Sequence, residues 1–222
     1  MRRRLLLAAA LLSSCLRPLA AGADPAGVGE TPLPSFGAEE RSLDAAQRAA
    51  IAALGDRIVG LDDPVAGNPL GDVTLVLFID PLCPFCRRLV PVIHDLLRED
   101  HDVKVVWKDI PVLGPASQLE ARALLAAQRQ GGYDRMQAAL LRIPGPLGRD
   151  DLRDLADKLD LDGGALLRDL DDPAIRARLA ANVALAQQLH VEGTPATVVG
   201  GRVLPGAVHL DDLEDVIAEI RH

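Results

Sequence analysis

Asp72-Val73-Thr74-Leu75-Val76-Leu77-Phe78-Ile79-Asp80-Pro81-Leu82-Cys83-Pro84-Phe85-Cys86 is the stretch on which the rest of the chain depends. Six of the seven residues from Val73 to Ile79 are apolar. A run that is continuously apolar rather than alternating predicts a central strand covered on both faces. It delivers two cysteines, two residues apart, to the start of a helix. Pro84 suits a first helical position, which has no N–H to waste. Leu89, Val92, Ile93 and Leu96 then follow the spacing of one helix face, with Pro91 predicting a kink between Arg87 and Pro91.

Two thiols at this spacing can close a small disulfide with little backbone movement. Cys83 stands at the end where helix N–H groups and the macrodipole favour an anion, so it is the expected attacking thiolate. Cys86 lies one turn in, is expected to be more buried, and suits the resolving role. Arg87 and Arg88 add positive charge nearby or are simply solvated. Two rivals are weak. A zinc site wants four ligands, but there is no second C-x-x-C, and His94, His101, His190, His209 and His222 show no paired spacing. Arg87 stands where haem attachment would need histidine. Metal carriage (copper, for example) and an inert disulfide remain as minor alternatives to a redox dithiol, and no cofactor is expected.

The rest of the chain supplies context for this pair. Of 222 residues, 49% are hydrophobic but only five are aromatic, so Leu, Val, Ile and Ala must build the core. A net charge of −8 argues against nucleic acid as a partner. Residues 1–23 read as an export signal: Arg2-Arg3-Arg4, the apolar run Leu5 to Leu12, and Ala21-Gly22-Ala23 as cleavage site. The alternative is a lipoprotein signal over 1–14, because Leu12-Ser13-Ser14-Cys15 resembles a lipobox; membrane contact is expected only in that case. Cleavage after Ala23 removes four arginines and leaves 20 Lys and Arg against 32 acids, a net charge of −12. Either processing leaves Cys83 and Cys86 as the available thiols, in an oxidising compartment.

Residues 24–57 are expected to hold a Pro- and Gly-rich tether and a short helix, roughly Leu43 to Leu54. Residues 60–71 read as turn chemistry throughout. Val103 to Lys108 is a second strand, and residues from Ser117 to about His190 read as mostly helical. Ser117-x-x-Glu120 has the form of a capping box. Pro144-Gly145-Pro146 breaks two helices, and Pro173 behind Asp171-Asp172 opens another. Gly193-Thr194-Pro195-Ala196-Thr197-Val198-Val199 turns into a strand, Gly200-Gly201 is a two-residue hairpin signal, and Arg202 to Leu204 is the partner strand. A last helix carries Leu213, Val216, Ile217 and Ile220 on one face.

Three segments together, FIDPLCPFCRRLVP (78–91), VVWKDIPVLGPASQLEARALLAA (105–127) and VEGTPATVVGGRVLPGA (191–207), resemble the DsbA-like branch of thioredoxin-fold thiol–disulfide oxidoreductases, with some DsbG-like features. The resemblance covers most of 58–222. It implies an α/β thioredoxin fold with a helical insertion, about 116–190, between the second core strand and a strand opened by a cis-proline. Cys83 becomes the nucleophile, Cys86 the resolving cysteine, and Pro195 the cis-proline beside them. Thr194, whose backbone would pair with substrate, resembles the isomerase-type members. The implied partners are cysteine-containing exported proteins and a membrane redox protein that recycles the dithiol. The chain departs from the pattern at Leu77, where these relatives often carry a buried acid. Lys108 resembles the second-strand lysine of such relatives, or is a solvated charge at a strand end. Asp80 is a substitute acid or a helix-start cap. Trp107 is expected in the core and His94 on a helix surface.

Overall fold

A computed structural model describes residues 45–222 of the chain. The expected signal segment, with Cys15 and Ala23, and the tether lie outside the described residues. In chain order, helix Ala45–Leu54 (α1) leads through a 3-10 turn to a short strand, Val65–Gly67 (β1). Strand Val73–Ile79 (β2), helix Pro84–Glu99 (α2) and strand Val103–Asp109 (β3) follow. Next come the helices Pro115–Gln128 (α3), Tyr133–Leu140 (α4), Arg149–Lys158 (α5), Gly163–Asp169 (α6) and Pro173–Gln188 (α7). The chain closes with strands Ala196–Val199 (β4) and Arg202–Pro205 (β5) and helix Leu210–Arg221 (α8).

The strands form one sheet in the order β1-β3-β2-β4-β5. β2 and β3 run parallel, joined by α2 as a crossover, and the other pairs are antiparallel. β2 is therefore central, and its residues Leu75, Leu77, Phe78 and Ile79 are buried on both sides. Alternation sorts the strand side chains onto two faces. Leu75, Leu77, Ile79, Val105 and Trp107 join both cysteines, α2, α8 and the inserted helices in one apolar cluster. Val76, Phe78, Val106 and Val198 pack with Ile51, Ala186 and Leu189 on the opposite face. α2 continues past Pro91, which is on its exposed side. The hairpin forms as read: Gly200 and Gly201 take φ of 54° and 75°, the conformation a primed two-residue turn needs. The helix at Pro173 begins behind Asp172, whose side chain accepts from Ala174 N.

Two expectations fail here. Residues 60–71 are not turn throughout, because β1 lies inside them as an edge strand. It is held from outside its own segment: Trp107 N donates to Pro64 O and Asn68 N to Val103 O. Gly67, at φ 74°, brings its backbone so close that a Cβ would sit 2.5 Å from Val103 O. The Ser117 capping box does not form either. α3 begins at Pro115 behind Gly114, so Ser117 is already inside the helix. Its hydroxyl donates to Asp80, and the Glu120 carboxylate accepts from Leu147 N instead of turning back to the helix start.

Candidate active site

β2 ends at Ile79, and Asp80-Pro81-Leu82 turns the chain into α2. Cys83 N donates to Asp80 O at 3.0 Å, and Cys83 O accepts from Arg87 N, so Cys83 caps the helix with extended backbone while Pro84 takes the first helical position. This places the Cys83 sulfur at the positive end of a 16-residue helix. Cys83 is only 5% exposed, and Cys86, one turn in, is fully buried. Both are free thiols.

Residues 111 positions away complete the site. The Thr194–Pro195 peptide is cis, and the Cys83 thiol meets Thr194 O at 3.2 Å. Gly206 N donates to Pro195 O, which ties this corner to the chain leaving β5. The four residues expected at the site, Cys83, Cys86, Thr194 and Pro195, are therefore brought together.

The two sulfurs are held in opposite states. Cys83 is pulled down from 9.0 to about 5, first by the Cys86 thiol that donates to it. Burial opposes this, while the Thr194 side chain and the N–H groups of Cys86 and Phe85 add to it. Cys86 is pushed strongly up, first by the same bond to Cys83 and then by burial; the Asp80 N–H, 3.5 Å from its sulfur, works the other way. Arg87 and Arg88 are engaged elsewhere: Arg87 donates to Leu141 O and Ile143 O, and the Arg88 guanidinium stands 4.6 Å over the Phe85 ring.

Lys108 is not a solvated strand-end charge. It is buried on the face opposite Trp107, with its ammonium 2.6 Å from Asp63 and Arg178 on the other side of that carboxylate. Burial forces this pairing, since an unpaired ammonium there would be costly. A cleft of about 620 Å³, lined by both charged and apolar side chains, opens beside these groups, and neither cysteine lines it. Asp80 is fully buried and does not cap α2; its carboxylate spans to the β3–α3 loop. Leu77 is buried between Trp107 and Thr197 on the neighbouring strands, and Trp107 is in the core as expected. His94 is half-buried on α2.

Two features were missed from sequence. Asp109 is buried with both carboxylate oxygens facing the Tyr133 hydroxyl, and burial pushes it up to about 7. Phe85, Val112 and Leu113 are about half exposed, giving apolar side chains on the Cys-Pro-Phe-Cys turn and on the loop tied to it. The setting of Val112-Leu113 between Pro111 and Gly114-Pro115 was the available signal for an exposed tip. Among the described residues, no three His, Cys, Asp or Glu side chains gather as a metal site.

Residues 74–218 match the model of the DSBA-like thioredoxin domain. The fold is similar to a thioredoxin-like oxidoreductase from Silicibacter pomeroyi, with TM-score 0.72 and 38% identity over 75% of this chain and 97% of that one. It is also similar to the thiol-disulfide exchange protein alpha-DsbA2 from Wolbachia pipientis, with TM-score 0.73 and 26% identity over 78% and 95% of the two chains. Among curated relatives, a Na(+)/H(+) antiporter NhaA of Salinispora arenicola is 33% identical over 157 residues, which are 70% of this chain and 24% of that protein. The chain thus spans about a quarter of the length of the curated relatives it matches. With a paired thiolate and thiol at the head of α2, facing a cis-proline corner, the chain belongs to the DSBA-like thioredoxin domains.

Proposed function

We propose that this is an exported, periplasmic oxidoreductase that exchanges disulfides with cysteine-containing exported proteins through Cys83-Pro84-Phe85-Cys86. The observation carrying the reading is the Cys83 sulfur, held near pKa 5 and facing Thr194 O beside Pro195. In the oxidising direction a substrate thiolate attacks Cys83 Sγ. The Cys83–Cys86 bond breaks, Cys86 leaves as a thiolate and takes a proton, and a mixed disulfide forms on Cys83. A second substrate thiolate then attacks the substrate sulfur of that bond, and Cys83 leaves as a thiolate. Two electrons pass from substrate to dithiol.

A leaving group of low pKa departs fast, and a stabilised reduced form makes the disulfide the stronger oxidant. Both favour the oxidase direction over the reductase or isomerase direction that Thr194 recommends. Thr194 O stands 3.2 Å from Cys83 Sγ and can accept from it only when the thiol is protonated, so this carbonyl is free to pair with substrate backbone once Cys83 is ionised or covalently occupied. The exposed Phe85, Val112 and Leu113 suit an unfolded segment with apolar residues flanking its cysteine. A membrane redox partner would reoxidise the dithiol. Export rests on Arg2-Arg3-Arg4, the apolar run and cleavage after Ala23. Relatives of this domain within chains named antiporters support work close to a membrane, as would a lipid on Cys15.

Equilibration with glutathione buffers tests the direction. A potential above about −200 mV is expected for an oxidase, and one below about −250 mV would reverse the assignment to a reductase. Insulin reduction no faster with wild type than with Cys83→Ser would refute the enzyme reading. Sub-micromolar metal binding through both thiols, without exchange, would replace it with a carrier.

A further inference from the structure

The Asp80 carboxylate lies beside the dithiol, yet it already accepts four hydrogen bonds, three of them on Oδ2. Oδ1 accepts from Leu82 N at 2.8 Å. Oδ2 accepts from Val112 N at 2.8 Å, Leu113 N at 3.1 Å and the Ser117 hydroxyl at 2.6 Å. A carboxylate offers about four lone-pair directions, so this one has little capacity left to receive a proton from a thiol. The backbone of the same residue touches both cysteines. Asp80 N–H points to Cys86 Sγ at 3.5 Å, and Asp80 O accepts from Cys83 N at 3.0 Å. Asp80 is fully buried, and so is Ser117.

Side chain and backbone thus serve two different structures. The four donors come from the turn at Leu82, the β3–α3 loop and the first turn of α3, and together they fix where the Asp80 backbone sits. The N–H so fixed is a donor to the sulfur that must become an anion when Cys86 attacks the mixed disulfide. The same carboxylate anchors Val112 and Leu113, whose side chains are exposed, to the dithiol turn.

We infer that Asp80 is a positioning residue for the resolving step: its buried carboxylate locks the turn whose backbone N–H supports the Cys86 sulfur, and it does not act as a proton acceptor. The inference rests on the dithiol exchange reading and specifies which group prepares Cys86 to attack a mixed disulfide on Cys83, the step that returns the dithiol to its disulfide. Charge-assisted bonds from backbone N–H groups are the strong kind, so the lock is stiff.

Reduced protein mixed with oxidised glutathione separates the steps. In the first, Cys83 thiolate attacks the disulfide, forming a Cys83–glutathione bond and releasing one glutathione thiolate. In the second, Cys86 thiolate attacks Cys83, closing the internal disulfide and releasing the other. Acid-quench mass spectrometry follows both in wild type, Asp80→Asn, Asp80→Ala and Ser117→Ala. Asparagine can keep its oxygen toward Val112, Leu113 and Ser117 and lose only the Leu82 bond; alanine loses all four. The expected second-step rates are about tenfold slower for Asp80→Ala, and within about threefold of wild type for Asp80→Asn and Ser117→Ala. The first step should stay within twofold throughout.

Three results overturn the inference. Asp80→Asn as slow as Asp80→Ala would make the carboxylate a proton acceptor. Both variants faster than wild type would mean that its charge merely repels the forming Cys86 anion. Lowered stability with an unchanged second step in every folded variant would leave only a structural role. If Asp80→Ala does not fold, the inference stands only if Asp80→Asn and Ser117→Ala each slow the second step measurably while leaving the first unchanged. Wild type that releases no glutathione at all would count against the exchange reading itself.

Discussion

The thiolate of Cys83 should make the reduced protein gain stability over the oxidised one as pH rises from 4 to 7. In the folded state Cys83 sits at about 5, against 9.0 for an ordinary thiol. A depressed value stabilises the fold at alkaline pH, and that stabilisation is lost as pH falls through the folded value. At pH 4 the thiol is protonated in both states and contributes almost nothing. At pH 7 the folded state has released its proton and the unfolded state has not. The difference is two decades in population, or about 3 kcal/mol, and it grows by about 1.4 kcal/mol per pH unit up to pH 9. For a two-electron couple that is roughly 60 mV of added oxidising power at pH 7. The assay is urea denaturation of reduced and oxidised protein at pH 4, 5.5 and 7, with thiolate absorbance at 240 nm titrated in parallel. Taking reduced minus oxidised removes other titrating groups, Asp109 above all, because both forms carry them. In Cys86→Ala, which deletes the largest cause, the midpoint should rise by at least one pH unit. A Cys83 midpoint above 7.5 in wild type, or a reduced-minus-oxidised difference flat from pH 4 to 7, would refute the reasoning.

Three further outcomes follow from buried groups. Asp109 is raised from 3.8 to about 7, so the folded state keeps its proton up to about pH 7 while the unfolded chain releases it near 4, and stability falls as pH rises from about 4 to 7. Asp109→Asn should therefore stabilise the protein at pH 8 by up to about 4 kcal/mol and change little at pH 4, measured by urea midpoints at both values. Lys108→Met leaves the buried Asp63 with Arg178 as its one cation and the Gly60 N–H as a second donor, and should cost about 3 kcal/mol, most of it recovered in the double variant with Asp63→Leu. Leu77→Gln places an amide between Trp107 Nε1 and Thr197 Oγ1, both buried and without a hydrogen-bond partner among the described residues. It should cost under about 1.5 kcal/mol, whereas Leu75→Gln on the same face should cost about 3, both read from thermal or urea unfolding.

How far each feature was legible tracks where its partners lie in the chain. β2, α2 and the Gly200-Gly201 hairpin announce themselves because pattern and turn chemistry are local. The helical block between β3 and β4 was readable for the same reason, down to the start at Pro173. β1 was not, since its hydrogen bonds come from Val103 and Trp107, and three residues among turn formers carry no periodic signal. Ser117 read as a cap because its sequence neighbour Glu120 completed the pattern; Asp80, 37 positions earlier, competed for the hydroxyl and won. Lys108 read as a solvated charge because Asp63, which neutralises it, is 45 positions away. The corner at Thr194 and Pro195 came from resemblance: an isolated X-Pro bond carries a prior of only about 5% cis.

The acid missing at Leu77 is less of a defect than the sequence implies. A buried thiol must ionise before it can resolve a mixed disulfide, and Cys86 starts strongly raised. Yet the largest cause of that rise is its own hydrogen bond to the Cys83 thiolate, ahead of burial. In the mixed disulfide Cys83 is a neutral sulfur bonded to substrate, so both its bond and its charge vanish from the Cys86 side. Burial remains to oppose ionisation, and the Asp80 N–H and the Thr194 side chain remain to favour it. Formation of the intermediate therefore relaxes the constraint on the next nucleophile, and does so only when there is something to resolve. That turns the question at this site from which acid takes the proton to what holds the Asp80 N–H against Cys86 while it leaves. The four donors on the Asp80 carboxylate are the structural answer.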